Sequence, residues 1–348
     1  MAIPVIDDAL LLKLLVDLLK TPSPTGYSEE AIAYAERAFN AIPGVKTSRT
    51  RKGALVATLE GERHNAPRAL AAHADTLGAM VKTIKSSGRL SLSKIGGYAW
   101  NTIEGEGCTI FTRAGRRIRG SVLVTAASSH VYGAKTGDLK REDDTMEVRL
   151  DEKVSAIEDV KSLGIDVGDF IAFDPRVELT NGFVRSRHLD DKAGVACLVE
   201  AARALRAEGL RPAQTTHFFI SNFEEVGHGA ANGLPAEVCE LVVVDMAAIG
   251  EGQNSDEFHA TLCVKDSSGP YHHGLSNHLR KLADEHSIPY KVDIYPYYGS
   301  DGSAFWHAGG EAAVALIGPG VDASHNYERT HTAALVATTN WVLAYMLG

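Results

Sequence analysis

Five short acidic and histidine motifs carry the chemistry open to this chain: His73-Ala74-Asp75, Asp190-Asp191, Glu224-Glu225, Asp245 and the pair His325/His331. Four of the five stand at or just past the end of an apolar run that reads as a β-strand. In an α/β sheet such ends converge at one edge, where ligands bind, however far apart they lie in the chain. Imidazoles and carboxylates gathered there suit divalent metals, and a pair of metals suits hydrolysis.

Each motif has its own reading. On a strand, residues two apart face the same side, so Asp75 is expected to accept a hydrogen bond from one ring nitrogen of His73 while the other binds metal. Asp190 and Asp191 open a helix. One carboxylate here is suited to bridging two metals; the competing reading is that Asp190 or Asp191 caps the helix. Glu224 and Glu225 follow the most apolar strand, Thr215 to Asn222, and a pair of acids there is not explained by burial, which penalises unpaired carboxylates. One acid can bind metal while the other, unbound, accepts a proton from water. Asp245 ends Leu241-Val242-Val243-Val244. His325 and His331 are the remaining candidates for a second imidazole.

The elements that position these residues follow from the hydrophobic pattern. Asp8 to Lys20 is a Leu-rich helix stopped by Thr21-Pro22-Ser23-Pro24-Thr25-Gly26. Ser28 is the expected N-cap of a second helix reaching Ile42, with Glu29 and Glu30 at its positive end. Ala54 to Leu59 and Arg68 to His73 read as strands. From Gly78 to about Arg187 the texture changes to short β segments rich in Gly, such as Val122 to Ala126, Met146 to Leu150 and Phe170 to Phe173. From Asp191 the α/β rhythm returns with helix Asp191 to Ala207 and strands Thr215 to Asn222 and Leu241 to Asp245. The expected architecture is α/β: a three-layer αβα domain, residues 1–77 and 188–348, split by a mainly-β, barrel-like insert, residues 78–187.

Bulk properties bound the function. With 348 residues, two domains are expected. The net charge of −9 argues against nucleic acid, whose binding is driven by basic patches, and part of this acidic excess would serve as metal ligands. No apolar run reaches the ~18 residues of a membrane span. The first twenty residues lack the features of a signal peptide. The four cysteines, at positions 108, 197, 239 and 263, have no metal-ligand spacing and fit a reducing, cytoplasmic setting.

Taken together, the motifs resemble metallopeptidase family 42, the TET-type, deblocking and glutamyl aminopeptidases with their FrvX-like relatives. The resemblance spans nearly the whole chain. Thr21 to Gly26 is similar to the family's early P-S-x-S/T-G turn, His73 to Gly78 to its H-x-D-x-x-G, and Leu189 to Gly194 to its L-D-[ND]-[RK]-x-G. Glu224 to Gly227 matches E-E-V-G, and Gly299-Ser300-Asp301 resembles G-[TS]-D. The resemblance implies an aminopeptidase with two divalent metals, zinc or cobalt. Asp190 would bridge them; His73, Glu225, Asp245 and a C-terminal His would complete their shells. Glu224 would be the general base toward a water shared by the metals, and Asp75 would orient His73. It also implies a dimerising β insert and a homo-oligomer built from dimers, often a dodecamer.

Two departures bear on this. Only His228 separates Gly227 from Gly229, where the family often has two residues. The family's closing R-Y-x-H-S is best matched by His331-Thr332 before the last helix, so His331 is the expected ligand and His325 the alternative. The stretch Gly250 to Phe258 and the C-terminal His motifs resemble a divergent subgroup associated with an acetylated glutaminylglutamine-amide osmolyte, which would make the substrate a small modified dipeptide. The same chemistry as a dipeptide amidase, deacylase or carboxypeptidase is the close alternative. A metal-independent glycosidase using paired carboxylates is the remote one.

Overall fold

The computed structural model describes residues 3–348. Two compact units emerge: one holds everything up to Asp75 together with Arg176–Gly348, the other Thr76–Pro175. Residues 176–187, which the sequence reading placed in the insert, lie in the first unit. The strand Phe183–Ser186 pairs there with Glu328–His331.

The first unit is built on a ten-stranded mixed sheet, whose middle four strands, Gln214–Ser221, Arg63–His73, Glu240–Val244 and Ala313–Val321, are mutually parallel neighbours in that order. Parallel strands covered on both faces read as continuous apolar runs, and Gln214–Ser221 is buried at every position. Alternation along it splits the core. Phe218 and Ile220 face a large cluster with Leu15, Leu198, Leu205, Val242 and Trp341. Phe219 faces the opposite cluster with Val243, Leu316, Tyr271 and Tyr295. Fully burying one such aromatic side chain stabilises the fold by roughly 1.5–3 kcal/mol.

Helices Asp8–Leu19, Glu29–Asn40, Leu189–Ala207, His273–Glu285 and Thr332–Leu347 supply the first face, and the short helix Asp301–His307 packs on the second. Ser28 does stand at the N-cap of Glu29–Asn40, but its side chain makes no capping bond. Asp7 does cap the first helix, accepting from Leu10 N at 3.0 Å. The helix Leu189–Ala207 lies against strand backbone. A Cβ at Gly194 would come within 2.2 Å of Val244 O, so only glycine permits this approach.

The second unit contains a closed six-stranded barrel with neighbours in the order Gly78–Ile84, Leu90–Ile95, Met146–Leu150, Arg117–Val124, Gly107–Phe111 and Phe170–Phe173. Inward residues Val81, Leu92, Ile110, Ile118, Val122, Val148 and Ile171 fill it. Closure leaves no free sheet edge within this ring.

Candidate metal centre

Register brings the motifs together. In the parallel sheet Ser221 lies level with His73, and Val243 level with Ala71. The carboxyl ends of three adjacent strands therefore deliver His73, the Glu224-Glu225 turn and Asp245 to one edge. The helix beginning at Leu189 adds Asp190, whose peptide bond to Asp191 is cis. The loop after Val321 adds His325.

Asp190 is the hub. Its Oδ1 lies 2.9 Å from His73 Nε2, and its Oδ2 lies 3.3 Å from His325 Nε2. Glu225 Oε2 is 3.6 Å from His325 Nε2, and Glu224 Oε2 is 3.7 Å from His73 Nε2. Ligand atoms of His73, Asp190 and Asp245 all fall within 4.8 Å of one another, a group able to hold a metal ion. Asp191 points elsewhere. Its carboxylate accepts from Gly194 N and His73 N, both at 3.2 Å, so it caps the helix and pins the His73 backbone.

The electrostatics show what this cluster needs. Burial, with repulsion from Asp190, pushes Glu225 up to about 8 and Asp245 up to about 7. Burial also drives Glu224 well above the usual carboxylate range. Asp190 runs the other way: burial opposes its ionisation, but hydrogen bonds from His325 and His73 hold it well below the ordinary value. Burial opposes charge on His73 too, yet its hydrogen bond to Asp190 and the charges of Glu224 and Asp190 raise it well above its usual value. Crowded carboxylates that resist ionising together are the donor set a divalent cation would reconcile. Mixed imidazole and carboxylate donors fit such a group.

The supports differ from the expected ones. His73 Nδ1 is 2.9 Å from the main-chain oxygen of Asp75 and 3.7 Å from its carboxylate. The backbone carbonyl, rather than the Asp75 side chain, therefore orients the imidazole. The Asp75 carboxylate instead receives Thr25 Oγ1 at 2.7 Å, Glu224 N at 3.1 Å and Glu225 N at 3.4 Å. It joins the early Pro-Ser turn to the acidic turn. Further along that turn, Asp301 accepts from Ser221 Oγ at 2.6 Å and Ala230 N at 2.7 Å, and Lys52 Nζ donates to the carbonyls of His228 and Gly229.

Gly229 is the tightest point of this clamp, because a Cβ there would sit 1.7 Å from Asp301 Oδ1. Gly229→Ala is expected to cost roughly 1–3 kcal/mol, the usual price of overpacking, and to lower the urea midpoint of unfolding. An unchanged midpoint would show that the clamp relaxes freely.

His331, the expected last ligand, lies outside the cluster. Glu328–His331 is a strand antiparallel to Phe183–Ser186, with His331 opposite Phe183. The imidazole packs against Phe183 and Phe258, centroids 4.9 and 5.2 Å away, and its Nδ1 accepts from Ala333 N as the N-cap of the last helix. His325, six residues earlier and held in left-handed backbone (φ 61°), takes the place beside Asp190. Glu328 was also missed. Its carboxylate accepts Asp190 N at 3.2 Å and His325 N at 3.0 Å. The only signal for it was an acid three residues after His325. Tyr297 and Tyr298 line the adjoining cavity, Arg185 pairs with Glu178, and Arg187 is buried with Nη1 3.2 Å from Asn326 O.

A buried imidazole–carboxylate cluster at the carboxyl edge of a parallel sheet, bordering an open cavity, is a place suited to a metal ion and a small ligand. Residues 53–340 match the family described as M42 glutamyl aminopeptidase, and the chain belongs to this M42 peptidase family. It is 49% identical over 336 residues to YhfE of Bacillus subtilis (strain 168), covering 96% of each chain. Its fold is similar to that of the TET aminopeptidase from Thaumarchaeota archaeon SCGC AB-539-E09, with TM-score 0.86 and 17% identity over 97% of this chain and 96% of that one. It is also similar to the TET1 peptidase of Pyrococcus horikoshii, which can assemble into a tetrahedron or a large octahedral shell, with TM-score 0.84, 21% identity and coverage of 97% and 99%.

Proposed function

We propose that this protein is a two-metal aminopeptidase that removes N-terminal residues from peptides. The observation that carries this reading is the placement of the two Asp190 carboxylate oxygens, one facing His73 and the other His325. His73, Asp190 and Asp245 would hold one cation; His325, Asp190 and Glu225 the other. Three protein donors each leave room for water and substrate. Zinc or cobalt is the expected metal, given the donors. When bound, two divalent cations supply Lewis acidity toward the scissile carbonyl and acidify water.

The chain's own groups do the rest. Glu224 stands at the edge of the cluster, with its amide fixed by Asp75 and its carboxylate bordering the cavity. It would take a proton from the attacking water and deliver it to the leaving amine nitrogen as the C–N bond breaks. Asp75 is thus a positioning residue for the base. A cavity of about 500 Å³ opens beside the cluster, lined by Ser268, Tyr297, Ser300, Ser303 and His307. It has room for a peptide's first residues, with the free α-amine directed toward the carboxylates.

A cytoplasmic setting remains part of this proposal; among the described residues no helix is long and apolar enough to cross a membrane. The inserted barrel would serve as the dimerising unit of a homo-oligomer, in keeping with the assembly of the TET1 relative.

Chelation tests the function directly. Activity on free peptides should vanish with a chelator and return with zinc or cobalt, alongside two metals per chain by elemental analysis. Cleavage confined to N-blocked or amidated dipeptides would move the assignment to a specialised deacylase or amidase. Activity that survives complete metal removal would overturn it.

A further inference from the structure

Glu328 is buried, 2% exposed, and does not itself line the cavity, although the two residues it holds do. Its two carboxylate oxygens do separate work: one accepts Asp190 N at 3.2 Å, the other His325 N at 3.0 Å. These amides belong to two segments more than a hundred residues apart, each bearing a donor of the same cluster. The surrounding strand pair fixes the distance, because Glu328 lies opposite Ser186 just before the Asp190 segment. Arg187 Nη1 adds a second tie, to Asn326 O at 3.2 Å.

The Glu328 bond has particular weight at His325. That residue holds φ at 61°, a left-handed conformation unfavourable for a non-glycine residue, so it persists only where neighbours fix it. Without an acceptor for its amide, the loop could return to ordinary backbone angles, and the imidazole would leave Asp190 Oδ2.

We propose that Glu328 is a positioning residue that sets the cation affinity of the Asp190–Glu225–His325 position, leaving the His73–Asp190–Asp245 position largely untouched. The inference rests on the two-metal reading above. It adds that the two imidazoles depend on different supports: His73 on the Asp75 carbonyl and Asp191, His325 on Glu328.

The test is stepwise cobalt titration of metal-free protein, wild type and Glu328→Gln, followed by visible absorption and by competition with a chelator. Glutamine keeps the size but offers one oxygen for two amides. One of the two cobalt affinities is expected to fall by roughly 10–100-fold, the usual cost of losing an outer-shell partner, while the other stays within about threefold. Metal-free melting temperatures should stay close, since a merely structural role would lower them and weaken both positions alike. Glu328→Asp keeps the charge but shortens the reach, and should show the same selective loss. It also carries the test if the glutamine variant does not fold. A wild type that binds two cobalt ions beside variants with two unchanged affinities would overturn the proposal. A wild type that binds fewer than two would instead overturn the two-metal reading beneath it.

Discussion

Glu224→Gln is expected to lose roughly 10²–10⁴-fold in kcat, the range a positioned general base supplies, while binding its metals as the wild type does. The reason is geometric. Glu224 Oε2 stands 3.7 Å from His73 Nε2 at the rim of the cluster, outside the group His73, Asp190 and Asp245. Its amide is anchored on Asp75, so the glutamine side chain should keep the same place without being able to accept a proton. The checks are kcat on an N-terminal residue coupled to a chromogenic amine, and metal content on the same sample. Near-normal turnover would refute the base role. Loss of metal with turnover would make Glu224 a ligand.

His325→Ala and His331→Ala should part company just as widely. His325→Ala removes the imidazole 3.3 Å from Asp190 Oδ2 and 3.6 Å from Glu225 Oε2. It should release one cation per chain and cost more activity than the roughly 10–100-fold commanded by outer-shell partners. His331→Ala should retain both cations and activity within a few-fold. Its cost should be to stability, about 1 kcal/mol for a lost N-cap bond, because that imidazole serves Ala333 N and packs on Phe183. The reverse pattern, with metal lost from His331→Ala alone, would restore the ligand that the sequence pattern favoured.

The two histidines also show where sequence reading stops. His331-Thr332 has the right local look, a histidine just before a helix, but Glu328–His331 forms a ladder with residues about 145 positions earlier. That pairing decides which way each side chain points, and no local pattern encodes it. The same holds for Asp75. Two-residue spacing places it on the face of His73, but whether its carboxylate or its carbonyl meets the ring depends on the chain leaving the strand at that point. Glu328 and Lys52 left little trace because each acts through backbone groups of distant segments.

What the sequence determined by itself was everything that depends on local periodicity. Continuous apolar runs ending in acids named the buried parallel strands, and those strand ends named His73, Glu224, Glu225 and Asp245 as neighbours, because parallel strands share one carboxyl edge. The change to short Gly-rich β segments marked the barrel. The tertiary structure alone decided which imidazole joins Asp190, which carboxylates face the cluster and which hold the loops around it. Those choices turn on hydrogen bonds between segments far apart in the chain, and on glycines at 194 and 229 where backbone and side chain meet too closely for a Cβ.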